Sequence, residues 1–167
     1  MKKYLYIYKA TLIENLTYIP NILLGFVNFV VMMFIFLNLW EYMYSDPGQI
    51  INGYTMKQMI WYVLITEVLW FGTRNKTLMK QINQDIKSGN IAYNINKPYN
   101  YVFYIIAKHF GEITIKLVAF ITIGGIIGNV FVGPIEHLKF ANLPMIFITI
   151  LLGVIINSVI RIAISII

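Results

Sequence analysis

Cysteine is absent from this chain, so a disulfide framework and thiolate metal ligation are both excluded. Acidic residues are scarce, seven against thirteen lysines and arginines, and the two histidines, His109 and His137, stand far apart. No H-E-x-x-H pair and no G-x-x-x-x-G-K-[ST] phosphate loop occurs, so neither a zinc hydrolase nor nucleotide hydrolysis by the chain itself is expected. An intramembrane hydrolase would need paired acids and histidines that are missing. The first long apolar run is long enough to span a bilayer and has no small-residue cleavage pattern after it, so it is expected to stay as a span and not to be removed as a secretory signal peptide. Only 12% of residues are charged, half of the roughly 25% usual in soluble domains.

What fills the chain is apolar: 59% hydrophobic residues and a mean hydropathy of +0.71, over a length that suits one domain. These values describe a membrane protein. The net charge of +6 does not point to nucleic acid, because the basic residues flank apolar runs and do not form a stripe interleaved with aromatics.

Residues 1–17 carry Lys2, Lys3 and Lys9, with Leu5, Tyr8, Leu12 and Leu16 along one helical side, interrupted by Ile7 and Lys9. Two readings stay open for them: an interfacial helix lying on the membrane, or an extension of the first span. Residues 18–40 contain no charge and, as a helix, measure roughly 34 Å against a hydrocarbon core of about 30 Å. Trp40 and Tyr42 mark the far interface. A loop with the turn signals Asp46-Pro47-Gly48 and Asn52-Gly53 leads to a shorter second span at 56–73. The third span is expected at 113–132, ended by Gly133-Pro134, and the fourth at 144–167. The fourth is still apolar where the sequence stops, so a longer chain, of which this is the amino-terminal part, is expected.

The one long polar interval is the segment 74–112. In its first part Leu78, Ile82 and Ile86 recur at helical spacing with Met79 beside them, opposite Lys76, Lys80, Asn83, Gln84 and Lys87. The spacing predicts an amphipathic helix that ends near Ser88, where Gly89 supplies the left-handed stop. A second helix is expected to open at Pro98, giving a stiff corner. From Arg74 to Lys116 seven bases face two acids, and the positive-inside rule then places this segment and the amino terminus in the cytoplasm. Lys108, Glu112 and Lys116 follow at i, i+4 spacing, where they can pair.

Glu67 falls within the second span, where an acid by default indicates a polar cavity or a partner; lying about 9 Å from the cytoplasmic end, it also has lysine heads and water within reach. Arg161 in the fourth span is placed to snorkel to the cytoplasmic interface. Gly124 and Gly128 form G-x-x-x-G, which permits close approach of another helix, within one subunit or across a dimer.

Gly53-Tyr54-Thr55 before the second span, the run Asp85-Ile86-Lys87-Ser88-Gly89-Asn90-Ile91-Ala92-Tyr93, and Lys97-Pro98-Tyr99 resemble the permease subunits of ABC-2 type bacterial exporters. That resemblance implies an all-α polytopic protein of the cell membrane that forms a translocation pathway. It also implies a coupling helix docking on a separate ATP-binding subunit, a second permease subunit, identical or different, and no cofactor of its own, since ATP is bound by the partner. Asp85, Ser88 and Gly89 are then the expected contact with the ATPase. The alternative is a small four-helix scaffold or accessory protein whose basic loop, through Lys80 and Lys87, binds anionic lipid or another membrane protein.

Overall fold

The computed structural model describes residues 2–17, 19–46, 48–74, 76–135 and 138–166, with the side chains of 19–23, 76, 77 and 166 left out. Met1, Tyr18, Pro47, Asn75, Glu136, His137 and Ile167 lie outside the described residues, and with them the turn proline of Asp46-Pro47-Gly48 and the histidine of the loop after the third span. The described elements are, in order, α1 (Lys2–Thr17), α2 (Ile19–Met43), a hairpin of β1 (Ile50–Ile51) and β2 (Tyr54–Thr55), and α3 (Met56–Thr73). There follow α4 (Lys76–Lys87), α5 (Asn90–Ile95), α6 (Tyr101–Phe131), a 3-10 turn (Phe140–Asn142) and α7 (Leu143–Ile166). The all-α character expected from the sequence is what the chain adopts, the two-residue strands aside.

Three helices are long and apolar enough to cross a membrane among the described residues: Leu24–Met43, Tyr101–Phe131 and Phe140–Ser165. The helix expected as the second span, α3, is not among them. Its 18 residues include Lys57, Gln58 and Glu67, which lower its hydropathy. For its length it is the most buried of the long helices, through Ile60, Trp61, Val63, Leu64, Val68 and Gly72. A helix that packs one face on protein needs less hydrocarbon there than one facing lipid on most sides.

Serine, threonine and asparagine side chains in these helices return to their own backbone. Asn28 donates to the Leu24 carbonyl, Asn38 to Phe34, Thr149 to Met145 and Ser158 to Val154, at 2.7–3.3 Å. With no water in the hydrocarbon, this is how a single polar group stays satisfied on an apolar helix.

The chain divides into two compact units. One comprises Tyr18–Thr73 and Lys116–Leu138. Its core is aromatic: Phe29, Met33, Trp61, Leu64, Val68 and Phe120, with Phe29 and Phe120 ring centroids 5.5 Å apart, edge to face. Here Gly124 faces Val68, and Gly128 lies directly under the Trp61 indole, whose Nε1–H donates to the Gly133 carbonyl at 3.0 Å. The hairpin pairs Ile50 with Thr55 and Ile51 with Tyr54, and Asn52 (φ 51) and Gly53 (φ 84) make its two-residue loop. Positive φ at both central residues is the demand that an Asn-Gly pair meets best. Thr55 and Gln58 then cap α3 reciprocally: the Gln58 N–H donates to Thr55 Oγ1, and the Thr55 N–H donates to Gln58 Oε1.

The other unit comprises Met1–Thr17, Arg74–Ile115 and Lys139–Ile167. In it α1 packs on the first part of α6, where Gly111 leaves room for the Tyr8 carbonyl and the Thr11 side chain. Tyr4 Oη accepts from the Asn100 N–H, the Tyr8 hydroxyl donates to Thr114 Oγ1, and Lys3 Nζ donates to the Pro98 carbonyl. The side of α1 turned to the protein is therefore Tyr4, Tyr8 and Thr11. Of the apolar side expected from the sequence, Tyr8 turns to the protein while Leu5 and Leu16 are exposed. A polar tyrosine face suits a helix that meets backbone carbonyls and a glycine, leaving Leu5, Ile13 and Leu16 for the surroundings.

Candidate functional site

The polar interval folds as read in its first part and differently in its second. α4 ends at Lys87, the Ser88 N–H closes on the Gln84 carbonyl, and Gly89 takes φ 73. Beyond it, the segment through Ile95 coils into α5. The long helix opens at Tyr101, not at Pro98. Asn100 is the reason: its Oδ1 accepts from the Val102 N–H at 2.9 Å and the Phe103 N–H at 3.3 Å, a side-chain cap that proline cannot supply. Lys97 closes α5, donating to Asn94 Oδ1 at 2.9 Å with its ammonium 4.5 Å from the Tyr93 ring centroid. The corner between α4 and α6 thus contains a helix of its own.

Leu78 and Ile82 of α4 are buried in a cluster with Tyr101 and Ile105 of α6 and Ile162 of α7. Ile86, expected on the same side, is 39% exposed. Two polar bonds flank the cluster: the Tyr101 hydroxyl donates to Asp85 Oδ2 at 2.7 Å, and Lys108 Nζ donates to Gln81 Oε1 at 2.8 Å. Leu78, Gln81, Ile82 and Asp85 follow at i, i+3, i+4 and i+7, one face of the helix. Asp85 therefore does not stand on the outward side with Ser88. It is partly buried and committed to Tyr101, while Lys80, Asn83, Gln84, Lys87, Ser88 and Gly89 are exposed. Lys108, expected to pair along its own helix, reaches across to α4. Hydrogen bonds to a charged group contribute roughly 1.5–3 kcal/mol, so the Tyr101–Asp85 bond is a substantial part of what fastens the end of α4.

Sequence reasoning missed this fastening. The signal is the spacing of Gln81 and Asp85 from Leu78, which puts them on its face although polar residues are by default assigned to solvent. Arg161, on α7 one residue before Ile162, has its Nε–H held by Asn157 Oδ1 at 2.9 Å. An asparagine one turn away shares the guanidinium in addition to any interface. Glu67 is partly buried on α3, flanking the aromatic core, and no hydrogen bond or ion pair holds it among the described residues. Gly124 and Gly128 are both taken up by α3 of the same chain. His109 and Glu112 are buried on α6. Among the described residues no group of three or more His, Cys, Asp or Glu is placed to hold a metal ion.

Comparison with known protein families matches residues 29–167 to the model described as "ABC-2 family transporter protein". It includes α3, the polar interval, α6 and α7. Comparisons with curated proteins and with solved structures find no match.

Proposed function

The chain belongs to the ABC-2 transporter family, the multi-pass membrane component of ABC transport, and from that premise we propose that it is the permease subunit of an exporter coupled through α4 to a separate ATP-binding subunit. The observation that carries this reading is the two-sidedness of α4. Its inner face is fixed to α6 and α7 by Leu78, Ile82, Gln81 and Asp85, while its outer face is exposed from Lys80 to Gly89. A push on the outer face is delivered to α6, one unbroken helix from Tyr101 to Phe131. A permease makes no chemical step. It needs a rigid element that turns closure of an ATPase into rocking of membrane helices, and a short helix anchored at both hydrophobic and polar points supplies one.

In this reading α4 and the amino terminus face the cytoplasm, as the excess of lysine and arginine between Arg74 and Lys116 supports. A single cysteine at Lys87, in a chain without native cysteine, is expected to resist an impermeant thiol reagent in intact cells and to react after permeabilisation. Labelling of Lys87→Cys from outside intact cells reverses the orientation and removes the coupling role with it.

The function itself is tested by purifying the tagged chain from native membranes. A phosphate-loop ATPase is expected to accompany it, and to be lost when Asn83, Gln84 and Lys87 are replaced together by alanine. Correct insertion with no associated ATPase would favour the scaffold reading.

A further inference from the structure

At the hairpin end of α2 and α3 lies an open cleft of about 710 Å³, within the roughly 300–1,000 Å³ typical of small-molecule sites. Trp40 and Met43 reach it from the end of α2, Tyr44 and Tyr54 from the hairpin segment, and Met59 and Tyr62 from α3. No lining side chain carries a charge. The wall is rigid aromatic on one hand and adaptable methionine on the other, a combination suited to a hydrocarbon chain and unsuited to an ion.

Two observations say more about the occupant. First, the polar groups of the wall are partly committed: the Tyr44 hydroxyl donates to the Tyr54 carbonyl at 3.0 Å, and Gln58 Oε1 accepts from the Thr55 N–H. Against these, the Trp40 indole Nε1–H is shielded from solvent and donates to nothing among the described residues. A buried donor without an acceptor costs roughly 1–3 kcal/mol, and a turn of the indole toward the cleft would let a molecule there that brings a carbonyl oxygen recover it. Second, the apolar run Leu24–Met43 ends at this cleft. The cleft therefore lies at the boundary between hydrocarbon and headgroups, the level at which tryptophan presents an apolar body and a polar N–H. Neutral carbonyl acceptors joined to alkyl chains are abundant at that depth: they are the glycerol esters of the bilayer.

We propose that this cleft seats one acyl chain of a bilayer phospholipid, with the Trp40 Nε1–H donating to the ester carbonyl. The lipid then wedges between the end of α2, the hairpin and the start of α3, completing a wall that the protein leaves open. This requires only that α2 crosses the membrane, so it stands or falls separately from the coupling of α4 to an ATPase.

The test uses the whole chain in phosphatidylcholine bilayers containing a phosphatidylcholine with a diazirine near the carbonyl end of one acyl chain. After irradiation, adducts are mapped by mass spectrometry and titrated against the probe fraction. Adducts on residues 40–62 are expected to saturate, while those on the exposed apolar residues Met145 and Phe147 of α7 rise in proportion to the probe. Trp40→Phe keeps an aromatic ring but removes the donor. Losing one hydrogen bond of about 0.5–1.5 kcal/mol raises the half-saturating fraction roughly twofold to tenfold. Met59→Trp fills the cleft and is expected to abolish adducts on 40–62 without changing those on α7. Labelling of 40–62 that rises in proportion, as on α7, and is indifferent to both substitutions overturns the proposal, because it is then ordinary contact with the bilayer.

Discussion

Ile82→Ala is expected to loosen the whole polar interval. Ile82 is fully buried between α6 and α7, and truncating such a side chain costs roughly 2–5 kcal/mol through lost burial and the cavity left behind. α4 is only 12 residues long, too short to persist in water without packing. Its inner face is held by Leu78, Ile82 and two polar bonds, so the substitution removes the centre of the attachment. Proteolysis between residues 76 and 95 should accelerate strongly, while the membrane helices remain protected. Ile86→Ala, one turn later at an exposed position, should change cleavage little, within about 0.5 kcal/mol of opening free energy. Equal protection of both variants would mean that the cluster does not hold α4.

Gly128→Val is expected to be the most damaging single change in the other unit. A Cβ on Gly128 meets the Trp61 ring directly, with Cζ3 at 2.7 Å and Cζ2 at 2.8 Å. These atoms are the far end of a side chain, but they are not free to give way, since the indole N–H is tied to the Gly133 carbonyl and the ring is packed against Phe29 and Met33. Relief requires either breaking that bond or parting α3 from α6, and overpacking of this kind costs about 1–3 kcal/mol or more. Gly125→Val is the control: a Cβ there meets nothing within 4 Å. Unfolding in increasing denaturing detergent should separate the two variants clearly. If they unfold together, the close approach of α3 to α6 is not what holds this unit.

Much of this architecture is legible in the order of residues because it depends on local rules. Asn52-Gly53 names its own turn, Gly89 its own stop, and uncharged runs of more than twenty residues name their helices. The span expected at 113–132 falls on the later part of α6 and the turn residue Val132, and the first part of α6 packs against α4. What escaped notice depended on partners distant in sequence. Asp85 looks like a surface acid until Tyr101 is beside it, sixteen residues on. Pro98 is a fair helix opener, yet Asn100 caps two N–H groups and takes the position. Hydropathy sees the polar residues of α3 and misses that one of its faces packs on protein. The Thr55-x-x-Gln58 capping box is written in the sequence as well, directly after the hairpin signal.

The site residues divide in the same way. Ser88 and Gly89 lie on the outer side of α4 as their spacing indicates, Asp85 belongs to the inner attachment, and Gly124 and Gly128 serve α3 of the same chain. An exposed serine beside a glycine with open space around it is the point at which another protein can approach α4 most closely. Cross-linking from Ser88→Cys to single cysteines placed around the surface of the co-purified ATP-binding subunit is therefore the most direct measurement of the coupling role, and it has no background in a chain free of native cysteine. A cross-link that forms at Ser88, and whose yield changes between the ATP-bound and nucleotide-free complex, is the predicted result. A complex that still co-purifies and hydrolyses ATP, yet gives no cross-link from Ser88 in either state, would contradict it.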